Sequence, residues 1–244
     1  MTQAPVLPDG WTLHAHDSVP STNDYAADLA AGGAAEGTVV WARQQTGGRG
    51  RRGRTWASPV GNLYCSTVLR PACAPIRAAE LGFVAALAVA DLVPEGRGVR
   101  VKWPNDVLVD GGKVAGILLE TSVSGSGLVD HVVAGIGVNV AEAPSAADMR
   151  YPAALLGGTV ETALQALAAA LARRLAQWRR AGFGAVRADW LERAGPVGGP
   201  VDVRLADELL TGRFAGLDED GALLVETDAG RRRIVSGELL ARAA

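Results

Sequence analysis

The sequence predicts an α+β protein with a small antiparallel β-barrel appended at its C-terminal end. Three observations carry this reading. Through about residue 193, β-branched and aromatic runs are interspersed with alanine- and leucine-rich stretches of helical period. The segment Pro196-Val197-Gly198-Gly199-Pro200 then reads as a linker. After it, short strands separated by turn residues fill the rest of the chain. The implied division is residues 1–195 for a larger domain and 196–244 for a smaller one, and 244 residues suffice for that pair.

Ser21, Thr22, Asn23 and Asp24 form an N-cap cluster ahead of a short alanine-rich helix, which Gly32-Gly33 stops. Residues 38–42 read as a strand from their β-branched and aromatic content. An arginine- and glycine-rich loop at 47–54 leads to a second strand at 63–69. Pro71 and Pro75 bracket a turn, and residues 76–93 read as a largely buried helix ended by Pro94. A strand-rich block spans 99–140. Within it 99–102 alternate, 107–109 reach a turn at Asp110-Gly111-Gly112, and 114–121 pair back as a hairpin. Residues 131–139 form an apolar strand buried on both faces. Leu164, Leu167, Leu171, Leu175 and Trp178 recur at threes and fours, marking an amphipathic helix that Gly182 ends before another at 185–193. In the smaller domain strands are expected at 201–205, 209–217, 222–227 and 231–235, with turns at 218–221 and 228–230.

Composition narrows the function. Twenty-four Lys and Arg against 26 Asp and Glu give a net charge of −2, which argues against a protein that coats nucleic acid or an anionic membrane. Apolar content of 48% and charged content of 20% exclude wholesale disorder. Residues 1–10 lack the basic stretch and apolar core of a signal peptide, and the most apolar run, 81–90, is half of what a bilayer needs. A cytoplasmic protein is expected. Cys65 and Cys73 are the only cysteines, and His14, His16 and His131 the only histidines; none is spaced for zinc, so two free thiols are expected.

Chemistry concentrates in three stretches. The first is Gln45-Thr46-Gly47-Gly48-Arg49-Gly50-Arg51-Arg52-Gly53-Arg54-Thr55-Trp56. Its four guanidiniums match carboxylate and phosphate oxygens, and its glycines let a ligand approach the backbone. A loop of this composition is expected to be mobile when empty and ordered by an anion. It is not a P-loop, because no Gly-Lys-Ser/Thr follows the glycines. Read alone, it also suits a solvated basic loop or a nucleic-acid contact. The second stretch, Lys102-Trp103-Pro104-Asn105-Asp106, gathers a cation, an amide and a carboxylate; downstream, Gly112-Lys113-Val114-Ala115-Gly116 opens a strand with a lone lysine. That lysine is either an exposed edge charge or a cation held for an anionic ligand. The third, Gly135-Ile136-Gly137-Val138-Asn139, ends an apolar strand on an amide.

In their order and spacing these segments, together with Ser21-Thr22-Asn23, resemble the biotin protein ligases. The resemblance covers about residues 18–140 by motif, and the strand-rich tail is similar to that family's C-terminal domain. It implies a biotin/lipoate-ligase-like catalytic domain with a mixed sheet and packed helices, followed by an SH3-like β-barrel. Many bacterial members begin with a DNA-binding winged helix, and twenty residues ahead of Ser21 cannot house one, so a ligase without repressor function is expected. Gly47 stands where alanine is common in the family.

The resemblance implies two steps. The carboxylate of biotin attacks the α-phosphate of ATP, with Mg²⁺, to give biotinyl-5′-AMP and pyrophosphate. A lysine of a biotin carboxyl carrier domain then takes the biotinyl group and releases AMP. The same resemblance assigns catalysis to Lys113, Arg51 and Asp106. Biotin is assigned to Ser21, Thr22, Asn23, Gln45, Arg49, Gly50, Arg51, Lys113 and Gly116. Nucleotide contacts are expected from Arg49, Arg51, Arg54, Trp56, Lys102, Asn105, Asp106, Lys113, Asn139 and Arg242. Asn105 and Asp106 are candidate contacts for the Mg²⁺ carried on the ATP phosphates, and Asp106 is alternatively a base for the incoming lysine. No DNA or membrane partner is implied, and the resemblance leaves a homodimer open. A lipoate or octanoate ligase, or a nucleic-acid-binding module using the Arg/Gly loop, is the alternative.

Overall fold

The computed structural model describes residues 4–143 and 152–240. Arg242 lies outside the described residues. A seven-stranded sheet of order β1-β2-β3-β7-β6-β5-β4 forms the larger unit. Its strands are β1 (Thr12–Val19), β2 (Thr38–Gln45), β3 (Leu63–Leu69), β4 (Val99–Lys102), β5 (Asp106–Val109), β6 (Gly112–Val123) and β7 (Val129–Val138). β1 and β2 run parallel, joined through α1 (Thr22–Ala31), and the other neighbours are antiparallel, so the sheet is mixed.

Period-two alternation sorts the side chains between the two faces. Leu63, Cys65, Ala134, Ile136 and Ile117 point to one face, where α3 (Glu80–Ala90) and α4 (Val160–Arg193) complete the main core. On the other face Val40, Val68 and Val133 receive Ala26 and Ala30 of α1. Helix α1 starts where the cap chemistry requires: the Ser21 hydroxyl accepts from the Asp24 backbone N–H, and Gly33 follows the helix with φ +90°. It covers only one end of that face. The other end is left open, and the cavity described below forms there.

The 76–93 helix divides into α2 (Pro75–Ala78) and α3, and stops at Ala90 with Asp91 as cap, short of Pro94. The 160–193 segment breaks at Gly182, φ +74°, as its glycine requires. Strand β1 was not anticipated. It lies at the sheet edge with most positions half-exposed or exposed, so His14, His16, Asp17 and Ser18 give it a loop-like composition.

The smaller unit comprises β8 (Pro200–Arg204), β9 (Leu209–Leu217), β10 (Leu223–Thr227), β11 (Gly230–Ile234) and β12 (Glu238–Leu240). The expected barrel takes the form of a five-stranded antiparallel sheet, ordered β11-β10-β9-β8-β12. Its three-residue last strand is too short to be read from sequence. Phe214, Leu217, Leu223, Val225 and Ile234 join the main core, so the two units share one apolar seam. Phe83 packs edge-on against Phe183 and Trp190 there, and a Cβ at Gly221 would lie 2.7 Å from the Phe83 ring. Among the described residues no helix is long and apolar enough to cross a membrane. Both cysteines are free, and burial pushes the Cys65 thiol up to about 12.

Candidate active site

The open end of the sheet is floored by two rows of paired residues. Lys102, Asp106, Gly116, Gly137 and Tyr64 stand opposite one another across β4, β5, β6, β7 and β3. Two residues along, Leu118, Gly135 and Ser66 form the second row. Gly135 and Gly137 are two apart, so both remove a side chain from the same face. The space is occupied by neighbours that require it. An added Cβ at Gly137 would lie 2.5 Å from the Trp56 indole nitrogen, and one at Gly135 would lie 2.0 Å from Asn23 Oδ1.

Lys113 reaches this floor through a β-bulge. Val107 faces Ala115 but Leu108 faces Lys113, so β6 carries one extra residue there. The bulge puts Lys113 on the face of Asp106, whereas unbroken alternation would put it on the helix-covered face. Its ammonium lies 2.7 Å from Asp106 Oδ1 and 5.2 Å from the centre of the Trp56 ring. Lys102 holds Asp106 Oδ2 at 2.9 Å. Burial works to raise the Asp106 carboxyl; Lys113 and Lys102 outweigh it, so the group stays below the usual carboxylate range.

The 47–56 loop forms the second wall. It closes on itself through Gly50 N–H to Arg54 O at 2.7 Å and Trp56 N–H to Gly48 O at 2.9 Å, with Arg52 and Gly53 in the left-handed region. Arg49 is held by Asp24 at 2.6 Å, and that hydrogen bond raises its pKa. Arg51 turns toward Asn105, 3.5 Å from Oδ1. Burial, and then the neighbouring Arg52, lower the Arg51 pKa, but a guanidinium remains charged. Gly47 lies against the Pro20 carbonyl, which an added Cβ would approach to 3.3 Å.

Short polar side chains close the end of the cavity under α1. Gln45 Oε1 accepts from the Thr22 backbone N–H at 2.8 Å and from the Thr22 hydroxyl at 3.1 Å, and Gln45 Nε2 donates to Ser58 Oγ at 3.0 Å. The small domain supplies the third wall. Arg54 pairs with Glu238 at 3.0 Å, and Lys102 donates to the Leu239 carbonyl at 3.0 Å. The cavity measures about 510 Å³, within the range of small-molecule sites.

Comparison with known proteins agrees with this architecture. Residues 15–139 match the biotin/lipoate A/B protein ligase family, and residues 197–239 match the biotin protein ligase C-terminal domain. A biotin–[acetyl-CoA-carboxylase] ligase of Paracoccus denitrificans is 45% identical over 90% of this chain and 96% of its own. The chain belongs to the biotin protein ligase family. The bifunctional ligase/repressor BirA of Bacillus subtilis is 33% identical over 94% of this chain and 74% of its own. Among solved structures, the Aquifex aeolicus biotin protein ligase in complex with biotin and ATP superposes with a TM-score of 0.77 at 28% identity, covering 95% of this chain and 99% of that one.

In this family member the residues singled out from sequence come together. Ser21, Thr22, Asn23, Gln45, Arg49, Gly50, Arg51, Arg54 and Trp56 line the one cavity with Lys102, Asn105, Asp106, Lys113, Gly116 and Asn139. Asn139 ties β7 to the bulge by donating to the Lys113 carbonyl at 3.1 Å. Tyr64, Gly135, Gly137 and Glu238 line the cavity too, and were not anticipated. The glycines were visible in the third stretch, but only their spacing of two on a strand marks them as floor. Glu238 sits on the unanticipated β12, so no sequence signal pointed to it.

Asn105 and Asp106, the candidate contacts for the Mg²⁺ carried on the ATP phosphates, are not arranged to hold a metal on their own. Both Asp106 oxygens face ammonium groups, and Asn105 Nδ2 donates to the Ile117 carbonyl at 2.8 Å, which leaves Oδ1 turned toward Arg51 at 3.5 Å. Among the described residues no cluster of three or more His, Cys, Asp or Glu could hold a cation. Mg²⁺ would enter with the ATP phosphates, as part of the nucleotide substrate.

Proposed function

We infer that the chain is a biotin–[biotin carboxyl-carrier protein] ligase that makes biotinyl-5′-AMP from biotin and MgATP and passes the biotinyl group to an acceptor lysine. One observation carries the reading of the site: Arg51, Lys102 and Lys113, from three separate stretches, converge on a cavity floored by glycines.

Adenylation brings a carboxylate up to a phosphate, so positive charge must offset their repulsion before bonds can change. Lys113 stands over the floor and Arg51 on the loop, and these two are assigned that role. The carboxylate oxygen forms a bond to the α-phosphorus, and the bond to the β-phosphate oxygen breaks as pyrophosphate leaves. Thr22, Gln45 and Ser21, short donors and acceptors at the closed end, suit a ureido ring that needs both. Trp56, seated over Gly116 and Gly137, supplies a flat apolar surface for the rest of the ligand.

Asp106 is assigned to hold Lys113 and Lys102 in place. A carboxylate kept below its usual pKa by two ammoniums is a weak base, which disfavours it as proton acceptor for the incoming lysine. That lysine's nitrogen attacks the carbonyl carbon of the mixed anhydride, loses a proton to solvent, and AMP departs. A cytoplasmic location is proposed with this activity, as is a division near residue 195, which leaves α4 whole with the catalytic unit.

The experiment is to incubate the protein with biotin, MgATP and a biotin carboxyl carrier domain and to weigh the acceptor. Gain of one biotin per acceptor is expected. Gain only when lipoate replaces biotin would transfer the reading to the other branch of the family.

A further inference from the structure

We propose that Glu120 is a positioning residue for biotin capture, joining the arginine loop to the sheet floor through Arg49 and Asn23. The proposal rests on the ligase reading above. Glu120 lies on β6, two residues beyond Leu118 and on the same face, in line with Val133. Its Oε1 accepts from Arg49 at 2.9 Å and its Oε2 from Asn23 Nδ2 at 2.7 Å. One carboxylate thus binds a residue of the mobile-type loop and a residue of the first turn of α1.

The consequence for Asn23 follows by counting donors. Its two amide protons go to Glu120 and to the Leu118 carbonyl, and its Oδ1 accepts from the Ser66 hydroxyl at 2.6 Å. With Gly135 directly beneath it, Asn23 is a spacer that fixes where the cavity ends. No amide proton of Asn23 remains for a ligand.

Arg49 is committed in the same way. Its two terminal nitrogens bind both oxygens of Asp24, at 3.0 and 2.6 Å, in addition to Glu120. Among the described residues the Arg51 guanidinium makes one hydrogen bond, 3.5 Å long, to a neutral amide. The loop therefore divides its labour. Arg49 anchors it to α1 and β6, and Arg51 is left to meet an incoming anion. Exposed carboxylate–guanidinium pairs contribute little to global stability, so this anchor acts on loop placement.

Glu120→Gln keeps an acceptor oxygen for Asn23 Nδ2 and presents an amide NH₂, which cannot accept, to the Arg49 guanidinium. Steady-state ATP–pyrophosphate exchange on the full chain reads the effect, with thermal unfolding alongside. The KM for biotin is expected to rise about fivefold or more while the KM for ATP stays within about twofold. Without acceptor, biotinyl-5′-AMP is expected to escape into solution faster than from the wild type. Asp24→Asn is expected to shift the biotin KM in the same direction. An unchanged biotin KM in Glu120→Gln overturns the proposal, and so does a parallel rise in both KM values with a lowered Tm. A wild-type protein that shows no biotin-dependent exchange overturns the ligase reading itself, so the two failures are distinguishable.

Discussion

Lys113 sits 2.7 Å from Asp106 because β6 carries one extra residue at that point. Without the bulge the ammonium would turn toward the helices, into an apolar core where an unpaired charge is costly. In the observed arrangement it faces the cavity with a fixed partner. Lys113→Ala removes the cation and leaves the bulge and its backbone pairing in place. Biotin-dependent pyrophosphate exchange is expected to fall by roughly 10²–10³, the usual scale for one lost electrostatic contact to a transition state. Circular dichroism should be unchanged. Wild-type exchange in that variant removes Lys113 from the chemistry.

Gly135 and Asn23 offer a sharper steric test. Asn23 is pinned between Ser66, Glu120 and the Leu118 carbonyl, so it has nowhere to move when a methyl arrives 2.0 Å from its oxygen. Gly135→Ala is expected to weaken biotin binding by about tenfold or more, ~1.4 kcal/mol, with a smaller effect on ATP. Calorimetric titration with biotin alone reads this directly. Equal affinities for the two proteins would show that the closed end of the cavity lies elsewhere.

Local chemistry made much of this site legible in advance. The N-cap at Ser21, the Asp110-Gly111 turn with both residues at positive φ, and the break at Gly182 are each dictated by a few neighbouring residues. The arginines of the 47–54 loop, Lys102 and Lys113 were visible as residue types. What sequence did not disclose are relations across strands. A bulge at Lys113 depends on how β5 pairs with β6, and the row from Lys102 to Tyr64 depends on the register of five strands. Strand β1 was missed because an edge strand need not be apolar. The Arg49 anchor was missed because a basic loop predicts that carboxylates meet it, without saying which.

Asp91 gives an expectation in pH. Asp91 is the C-cap residue of α3, its backbone N–H donating to the Leu87 carbonyl, and its carboxylate binds Arg173, Arg174 and Arg193 at 2.7–2.8 Å. Burial alone would raise its pKa, but the hydrogen bonds from Arg174, Arg193 and Arg173 bring it down from 3.8 to about 2. A depressed folded-state pKa stabilises the fold above the unfolded value and stops doing so as pH falls through the folded one. The contribution is roughly 2 kcal/mol at neutral pH and is lost between about pH 4 and pH 2. Urea midpoints at pH 7 and pH 3 should therefore converge more closely for Asp91→Asn than for the wild type. Identical pH slopes would discharge Asp91 from this role.

Arg51 bears on retention of the intermediate. A mixed anhydride hydrolyses and acylates stray amines unless it is enclosed, and the 47–56 loop is the wall able to enclose it. The loop is tied at Arg49 to α1 and at Arg54 to β12, which leaves Arg51 between two fixed points. Arg51→Gly keeps both ties and deletes the guanidinium proposed to meet the phosphate. Adenylate is expected to form at a reduced rate and to leave early, so that lysines of bystander proteins become biotinylated in proportion to their concentration. Protease cleavage at 47–56 is expected to slow when biotin and ATP are added to the wild type, and to slow less in the variant. Retention of adenylate by Arg51→Gly at the wild-type level would assign the clamp to another cation, with Lys102 next in line at 2.9 Å from the same carboxylate that positions Lys113.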